Sequence, residues 1–449
     1  MTLVKTGQVI AESKFNKFHF MILFWCTFII VLDGYDLAVY GAVLPVLIDE
    51  WGLSNVQAGA MGSYGLVGVM FGAFFFGPLA DRIGRKNVII ACFILFSIFT
   101  GLCGFADSPT SFSTYRFIAG LGLGGIMPNV IALMTDYSPK KMRSLTVSIV
   151  LTGYSIGGML APALSIFFIP KLGWEFVYFI AAAPIILLPV IMKTLPDSTV
   201  FLAAKGRKKE LRKVMNKINP EGNYTEQDEF ELFEKNTEKG TPVTQIFKNK
   251  RGLSTSMFWI TYFMSLLMVY GLSTWLPKLM MQAGYGLNSS ISFLIILHAG
   301  TIVGTLIIGK LADKFGSKRM LIPMYIIGAI ALILLGFKND MLVVSLLVAL
   351  TGACTIGSQN IMNAYVSQYY PPFLRSTALG LASGVGRFGA ILGPTIGGIL
   401  LTMALPIQIN FLVFAIPGFI AALALVFIPV NRAYDYQDKS KDEKVEANG

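Results

Sequence analysis

Residues 31–45 read VLDGYDLAVYGAVLP, and they place two carboxylates, Asp33 and Asp36, inside an apolar run extending from about Phe18 to Ile48. At about 1.5 Å per residue such a run crosses a bilayer as one helix. Asp33 then lies ~22 Å from its start, near the middle of a ~30 Å hydrocarbon layer. A charge at that depth costs at least ~2.5–3.5 kcal/mol, so it faces a partner or a watery cavity. The i, i+3 spacing puts both acids on one helix face, and Gly34 between them lets another helix or a ligand come close. The competing reading is a kinked helix whose acids pair only structurally with nearby basic residues.

The pattern around this stretch repeats along the chain. Of 449 residues, 54% are hydrophobic and 14% charged, against roughly 25% charged in a soluble domain. Apolar runs long enough to span fall near 18–48, 55–79, 87–106, 111–135, 144–169, 174–195, 254–282, 289–311, 319–337, 341–366, 376–403 and 408–430. The chain therefore reads as an all-α polytopic membrane protein with twelve spans. It divides into an N-terminal six-helix bundle (1–195), a linker (196–253), a C-terminal six-helix bundle (254–430) and a polar, loose tail (431–449). Within the linker, GRKKELRKVMNKI and EQDEFELFEK have the pattern of short amphipathic helices.

The net charge of +11 does not signal nucleic acid. Lys and Arg fall in alternate short loops, DRIGRK (81–86), PKKMR (139–143) and DKFGSKR (313–319), whereas DEWGLS (49–54) and ADSPTS (106–111) are not basic. The positive-inside rule then puts the basic loops and both termini in the cytoplasm. No cleavable signal peptide is expected, because the first apolar run is too long for an h-region and lacks a small-residue cleavage site. Cys26, Cys92, Cys103 and Cys354 are scattered in apolar segments. They form no C-x-x-C or Cys/His cluster, so neither a disulfide framework nor a metal site is indicated.

The halves repeat. GPLADRIGRK (77–86) aligns with GKLADKFGSK (309–318), placing Asp81 on Asp313, 232 positions on. The same shift carries Leu44-Pro45 onto Leu276-Pro277, Pro139 onto Pro371, Arg143-Ser144 onto Arg375-Ser376 and Pro162 onto Pro394. A constant offset over separated places indicates duplication of a six-helix unit in parallel orientation. In the repeated loop, Gly84 and Gly316 permit a tight turn, and Asp81 and Asp313 can cap a neighbouring helix or pair with Arg. A contact made in only one state of two rocking bundles acts as a latch. The candidates for that latch are Asp81, Arg85, Asp136, Arg143, Asp313 and Arg375.

This loop, occurring twice at matching places in twelve helices, resembles the signature of the major facilitator superfamily. LDGYDLAVYGAVLP in the first span, RFIAGLGLGGIMPNVIALMTDYSPKKMRS (116–144) and GWEFVYF (173–179) narrow the likeness to its aromatic acid:proton symporters of the benzoate and 4-hydroxybenzoate type. That family implies roles for Asp33 and Asp36 in coupling or binding, and for Asp81, Arg85 and Asp313 in the conformational cycle. Where the family usually has Glu, this chain has Asp136 before Tyr137, and Pro196-Asp197-Ser198 after the sixth span; both keep the charge.

An Arg at membrane depth needs an anion. Arg116 is read first as a partner for an acid or part of a proton path. Arg387 is read as a bidentate site for a substrate carboxylate, with structural pairing at even weight. The 232-residue shift places Ser155 opposite Arg387, so this cation breaks the repeat. His298 is a candidate proton relay, or equally a satisfied core histidine. An aromatic acid also needs apolar walls, for which Tyr35, Tyr40, Tyr64, Tyr154, Trp275, Tyr365 and Phe388 are available, Tyr35, Tyr154 and Phe388 foremost. Asn129, Gln359 and Asn363 are polar candidates for ring substituents. GLGLGG (120–125) fits G-x-G-x-x-G only formally; no strand precedes it, and small residues there serve helix packing.

The expected function is import of a small aromatic carboxylate with protons by alternating access in a bacterial inner membrane. No enzyme activity, cofactor or metal is expected, the proton being the coupling ion, and the protein is expected to act as a monomer. The alternatives are the same fold carrying nicotinate, shikimate or another organic acid, or a membrane receptor for aromatic acids that does not transport.

Overall fold

Apolar runs without water to hydrogen-bond their backbones must close those bonds internally, and here they do so as helices. The computed structural model describes residues 3–225, 228–230, 242–248, 250–337, 340–371 and 374–433. Within them lie twelve helices long and apolar enough to cross a membrane. They are α1 (Lys17–Trp51), α2 (Asn55–Ile83), α3 (Arg85–Cys103), α4 (Pro109–Tyr137), α5 (Arg143–Leu172) and α6 (Glu175–Thr194). The second set is α7 (Gly252–Gln282), α8 (Leu287–Phe315), α9 (Ser317–Leu335), α10 (Met341–Tyr369), α11 (Arg375–Thr402) and α12 (Ile407–Val426). Each matches one expected span. One departs in detail, since α6 passes through a 3₁₀ turn at Ala183–Leu187. Pro184 and Pro189 each lack the N–H that a continuous α-helix would use there.

The contacts divide the chain into two compact units, 1–39 with 64–237, and 40–63 with 238–449. In the first, α3 packs along α4 and α6, and α1 meets α5 at backbone distance. A Cβ on Gly34 would fall 1.9 Å from the Tyr154 carbonyl oxygen, and one on Gly157 would fall 1.8 Å from that of Val31. Only glycine permits this approach. At the basic end, Lys208–Ile218 forms the expected amphipathic helix and buries Leu211, Val214, Met215 and Ile218. Asn16 holds its last turn, donating to the Lys217 and Ile218 carbonyls at 2.9 and 3.1 Å. Of the second expected linker helix only 228–230 are described, and Glu229–Phe230 pairs in parallel with Leu3–Val4 as a two-residue strand. The expected loose tail, beyond 433, lies outside the described residues.

In the second unit α7 packs on α11 and α12, α8 on α10, and α9 on α10 and α12. The hairpin 40–63, where α1 ends and α2 begins, is part of this unit. Its glycines make that possible, since a Cβ on Gly41 would lie 2.2 Å from the Ser273 carbonyl oxygen and one on Gly59 2.5 Å from that of Pro394. Ser63 adds hydrogen bonds to the Ile391 carbonyl and to Thr395 at 2.5 and 2.8 Å, and Lys278 approaches Asp49 at 3.8 Å.

Candidate functional site

Within the first unit, Asp36 on α1 and Arg116 on α4 form an ion pair at 3.5 Å. The two residues are only 8% and 6% exposed. Small residues where α2 meets α4 create the space. A Cβ on Gly65 would stand 3.3 Å from both Nε and Nη2 of Arg116, so a larger residue there would crowd the guanidinium. Asp33, one turn before Asp36, is half-buried. Tyr35 is buried and donates its hydroxyl to the Val177 carbonyl on α6 at 2.8 Å, which fixes α1 against α6. Tyr154 packs partly buried against the apolar core of this unit. Asn129 is buried, and its amide donates to the Gly125 carbonyl one turn back at 2.8 Å.

In the second unit, Arg387 on α11 donates to the Tyr270 hydroxyl on α7 at 3.4 Å. Phe388 follows it directly but turns ~100° round the helix. It is 53% exposed, on an apolar face shared with Leu392 and Ile399. Asn363 accepts a hydrogen bond from the Tyr262 hydroxyl at 2.6 Å. His298 is fully buried, and among the described residues neither ring nitrogen has a hydrogen-bond partner. The buried Gln359 Oε1 and Tyr365 hydroxyl likewise have no hydrogen-bond partner among the described residues. Trp275 donates to the Pro394 carbonyl at 2.7 Å, Tyr40 bonds the Ala58 carbonyl, and Tyr64 is exposed. The sequence reading did not single out Tyr262 and Tyr270. Their spacing of eight, which puts two hydroxyls on one face of α7, is the signal that points to them.

At the basic end of the first unit, Arg85 pairs with Asp136, whose carboxylate also accepts from the Ser198 hydroxyl at 2.6 Å. Asp197 accepts the Ser198 and Lys86 backbone N–H groups at 2.8 and 3.4 Å, capping the start of α3. The Tyr137 hydroxyl donates to the Asp197 carbonyl. Gly84 has φ +95°, and a Cβ there would fall 2.2 Å from Asp197 Oδ2. Burial pushes the Asp197 carboxyl above its ordinary range, while the backbone hydrogen bonds and Arg207 oppose the shift. Arg143 is exposed, and Arg375, in the second unit, donates to the Tyr370 carbonyl at 3.1 Å. The side chains of Asp81 and Asp313 lie outside what is described. Asp197 and Ser198 join this cluster although the sequence reading did not name them as latch residues. No group of three or more metal-ligating side chains occurs among the described residues.

The family model of the Major Facilitator Superfamily matches residues 26–302 and 290–447. The chain belongs to this superfamily. It is a multi-pass membrane protein of a transporter family and not an enzyme. A benzoate transport protein of Acinetobacter baylyi is 43% identical over 96% of this chain and 94% of its own length. A gallate transporter of Pseudomonas putida is 34% identical over 91% of each. The 4-hydroxybenzoate transporter PcaK of A. baylyi is 32% identical over 93% of this chain and 92% of its own. Among solved structures, the partially occluded, inward-open xylose transporter XylE from Escherichia coli superposes with TM-score 0.70, covering 92% of this chain and 98% of that one. At 17% identity that likeness speaks for the fold alone.

Proposed function

We propose that the protein is a proton-coupled symporter that imports an aromatic carboxylate of the benzoate or hydroxybenzoate type by alternating access. It works in a bacterial cytoplasmic membrane, as a monomer, with both termini inside and no cofactor beyond the coupling proton. The observation that carries the coupling is the buried Asp36–Arg116 pair. A proton placed on Asp36 turns a neutral buried pair into a lone guanidinium, a net change of one positive charge in a low-dielectric interior. A substrate carboxylate entering the protein offsets that charge, so proton and anion favour one another and each shifts the population the other binds. The loaded carrier reorients without dragging a net buried charge. Release of the proton on the inner side restores the pair, and the anion leaves.

For the anion, Arg387 with the Tyr270 hydroxyl is the donor set that fits best, since a guanidinium presents parallel N–H donors to a carboxylate. The resemblance of the whole chain to transporters named for benzoate, gallate and 4-hydroxybenzoate supports the substrate class. The Asp136–Arg85–Ser198 cluster is suited to act as a latch that breaks and reforms during reorientation. Uptake of labelled benzoate by proteoliposomes tests the reading, with benzoate, 4-hydroxybenzoate, gallate, nicotinate and shikimate as competitors. Accumulation that collapses with the proton gradient, competed by benzoates ahead of nicotinate and shikimate, supports it. Binding without accumulation would make the protein a receptor, and accumulation that survives loss of the gradient would refute the coupling.

A further inference from the structure

In the second unit, α7 and α11 leave an apolar cleft of about 300 Å³, lined by Ser256, Trp259, Ile260, Phe263, Met264 and Val385. The five α7 residues fall at i, i+3, i+4, i+7 and i+8, one helix face, starting about a turn inside Gly252. The cleft thus begins close to the basic end and runs toward the middle of the helix. Phe247 meets Trp259 edge-on at 5.6 Å, and Pro242–Gln245 rests on α11 beside it. Ile260 and Leu253 are 37% and 50% exposed.

Four cations stand where this cleft begins. Arg432 donates to the Lys250 carbonyl at 2.6 Å, and Arg251 donates to the Arg432 carbonyl at 3.5 Å, which ties three of them into one knot. Lys248 is exposed on the turn leading into it. Arg251 is only 4% exposed. No ion pair involves any of the four cations among the described residues. A cationic knot of this kind, with no carboxylate partner among the described residues, is completed by an anion.

We propose that this is a binding site for an anionic phospholipid of the leaflet at the basic end, with one acyl chain in the cleft and the phosphate against Lys248, Lys250 and Arg432. The apolar cleft selects a lipid over a soluble anion. The cations select a net negative headgroup over a zwitterionic one, whose own ammonium would sit among them. Trp259, about two turns in from the charges, has the amphipathic ring that favours the interface over the hydrocarbon centre. The site is separate from the Asp36–Arg116 pair and does not depend on the transport reading.

Native mass spectrometry of the full-length protein in detergent tests the site, titrating phosphatidylglycerol and phosphatidylethanolamine with matched acyl chains. Each cation near an anionic headgroup is worth about a five-fold change in affinity. Lys248→Gln with Lys250→Gln should therefore lower phosphatidylglycerol binding by about 25-fold, if the two contributions add, and leave phosphatidylethanolamine unchanged. Ser256→Phe, which fills the cleft, should reduce both, and glycerol 3-phosphate should displace neither. Thermal unfolding establishes that the variants fold. If Ser256→Phe does not, the lysine variants still decide the matter, because both side chains are exposed. Equal binding of the two lipids by wild type, an unchanged preference in the double lysine variant, displacement by glycerol 3-phosphate, or occupation of the cleft by a second copy of the chain would each overturn the proposal.

Discussion

Asp36 and Arg116 lie 80 residues apart in sequence and meet at 3.5 Å inside the first helical unit. Removing one member of a buried ion pair leaves the other charge uncompensated, at a cost of roughly 3–5 kcal/mol, whereas removing both costs much less. Arg116→Gln should therefore lower the midpoint of thermal unfolding in detergent. Combining it with Asp36→Asn should recover most of that loss without recovering gradient-driven uptake. If the double variant is as unstable as the single one, the pair does not carry the charge balance assigned to it.

Tyr270 and Arg387 give a second test. Tyr270→Phe removes the hydroxyl that receives the guanidinium and should raise KM for benzoate several-fold, equivalent to the ~1 kcal/mol of one hydrogen bond. Arg387→Lys keeps the charge but not the planar fork, and should raise KM by more. Concentration-dependent uptake measures both; unchanged KM in both variants would remove Arg387 from the substrate site.

Gly84 meets Asp197 with no room for a side chain. Gly84→Ala combines a φ of +95° with this clash, so destabilisation of about 1–3 kcal/mol is expected from the backbone strain alone. Gly77→Ala is the control, because nothing lies within 4 Å of its Cβ position. Thermal unfolding of the two variants side by side reads the difference.

Asp197 also predicts a pH dependence. Burial raises its carboxyl in the folded protein above the unfolded value, near 3.9. Between those two values the folded state holds more protons than the unfolded one. This group's contribution to stability therefore falls as pH rises through that window, and its cost is complete above the folded value. Unfolding midpoints measured from about pH 4 to 8 should show wild type gaining stability relative to Asp197→Asn as pH falls through the window. A difference that is flat or of opposite slope would contradict the assignment.

The hairpin 40–63 supplies a test of alternating access. If it leaves α7 and α11 during the cycle, Gly41→Val should weaken the packed state, because its Cβ would lie 2.2 Å from the Ser273 carbonyl. Cysteine labelling near Asn55 should then rise in the variant while uptake falls. Unchanged labelling would show that the hairpin does not gate.

Much of this architecture is legible in the sequence because membrane burial imposes a coarse rule, long apolar runs broken by short loops, that few residues violate. The violations are informative for the same reason. Asp36 and Arg116 stand out in the sequence as expensive charges at depth, whereas their pairing depends on the fold. Contacts that depend on how helices are rotated and brought together were not legible. Arg387 and Phe388 are adjacent in sequence but point ~100° apart, so that naming them together as one site could not anticipate Phe388 on an exposed apolar face. Asp136 receives Ser198 from 62 residues away, and no periodicity encodes that meeting. The 3₁₀ turn in α6 could have been read from Pro184 and Pro189, since each removes one N–H from the helix ladder.

The most direct measurement of the central claim is proton movement driven by substrate. Benzoate added to a lightly buffered suspension of proteoliposomes should alkalinise the medium, after subtraction of protein-free liposomes to remove passive entry of the neutral acid. Asp36→Asn should abolish this while labelled benzoate still exchanges across the membrane. Proton uptake that persists in Asp36→Asn at the wild-type ratio to benzoate would show that the coupling proton does not ride on Asp36.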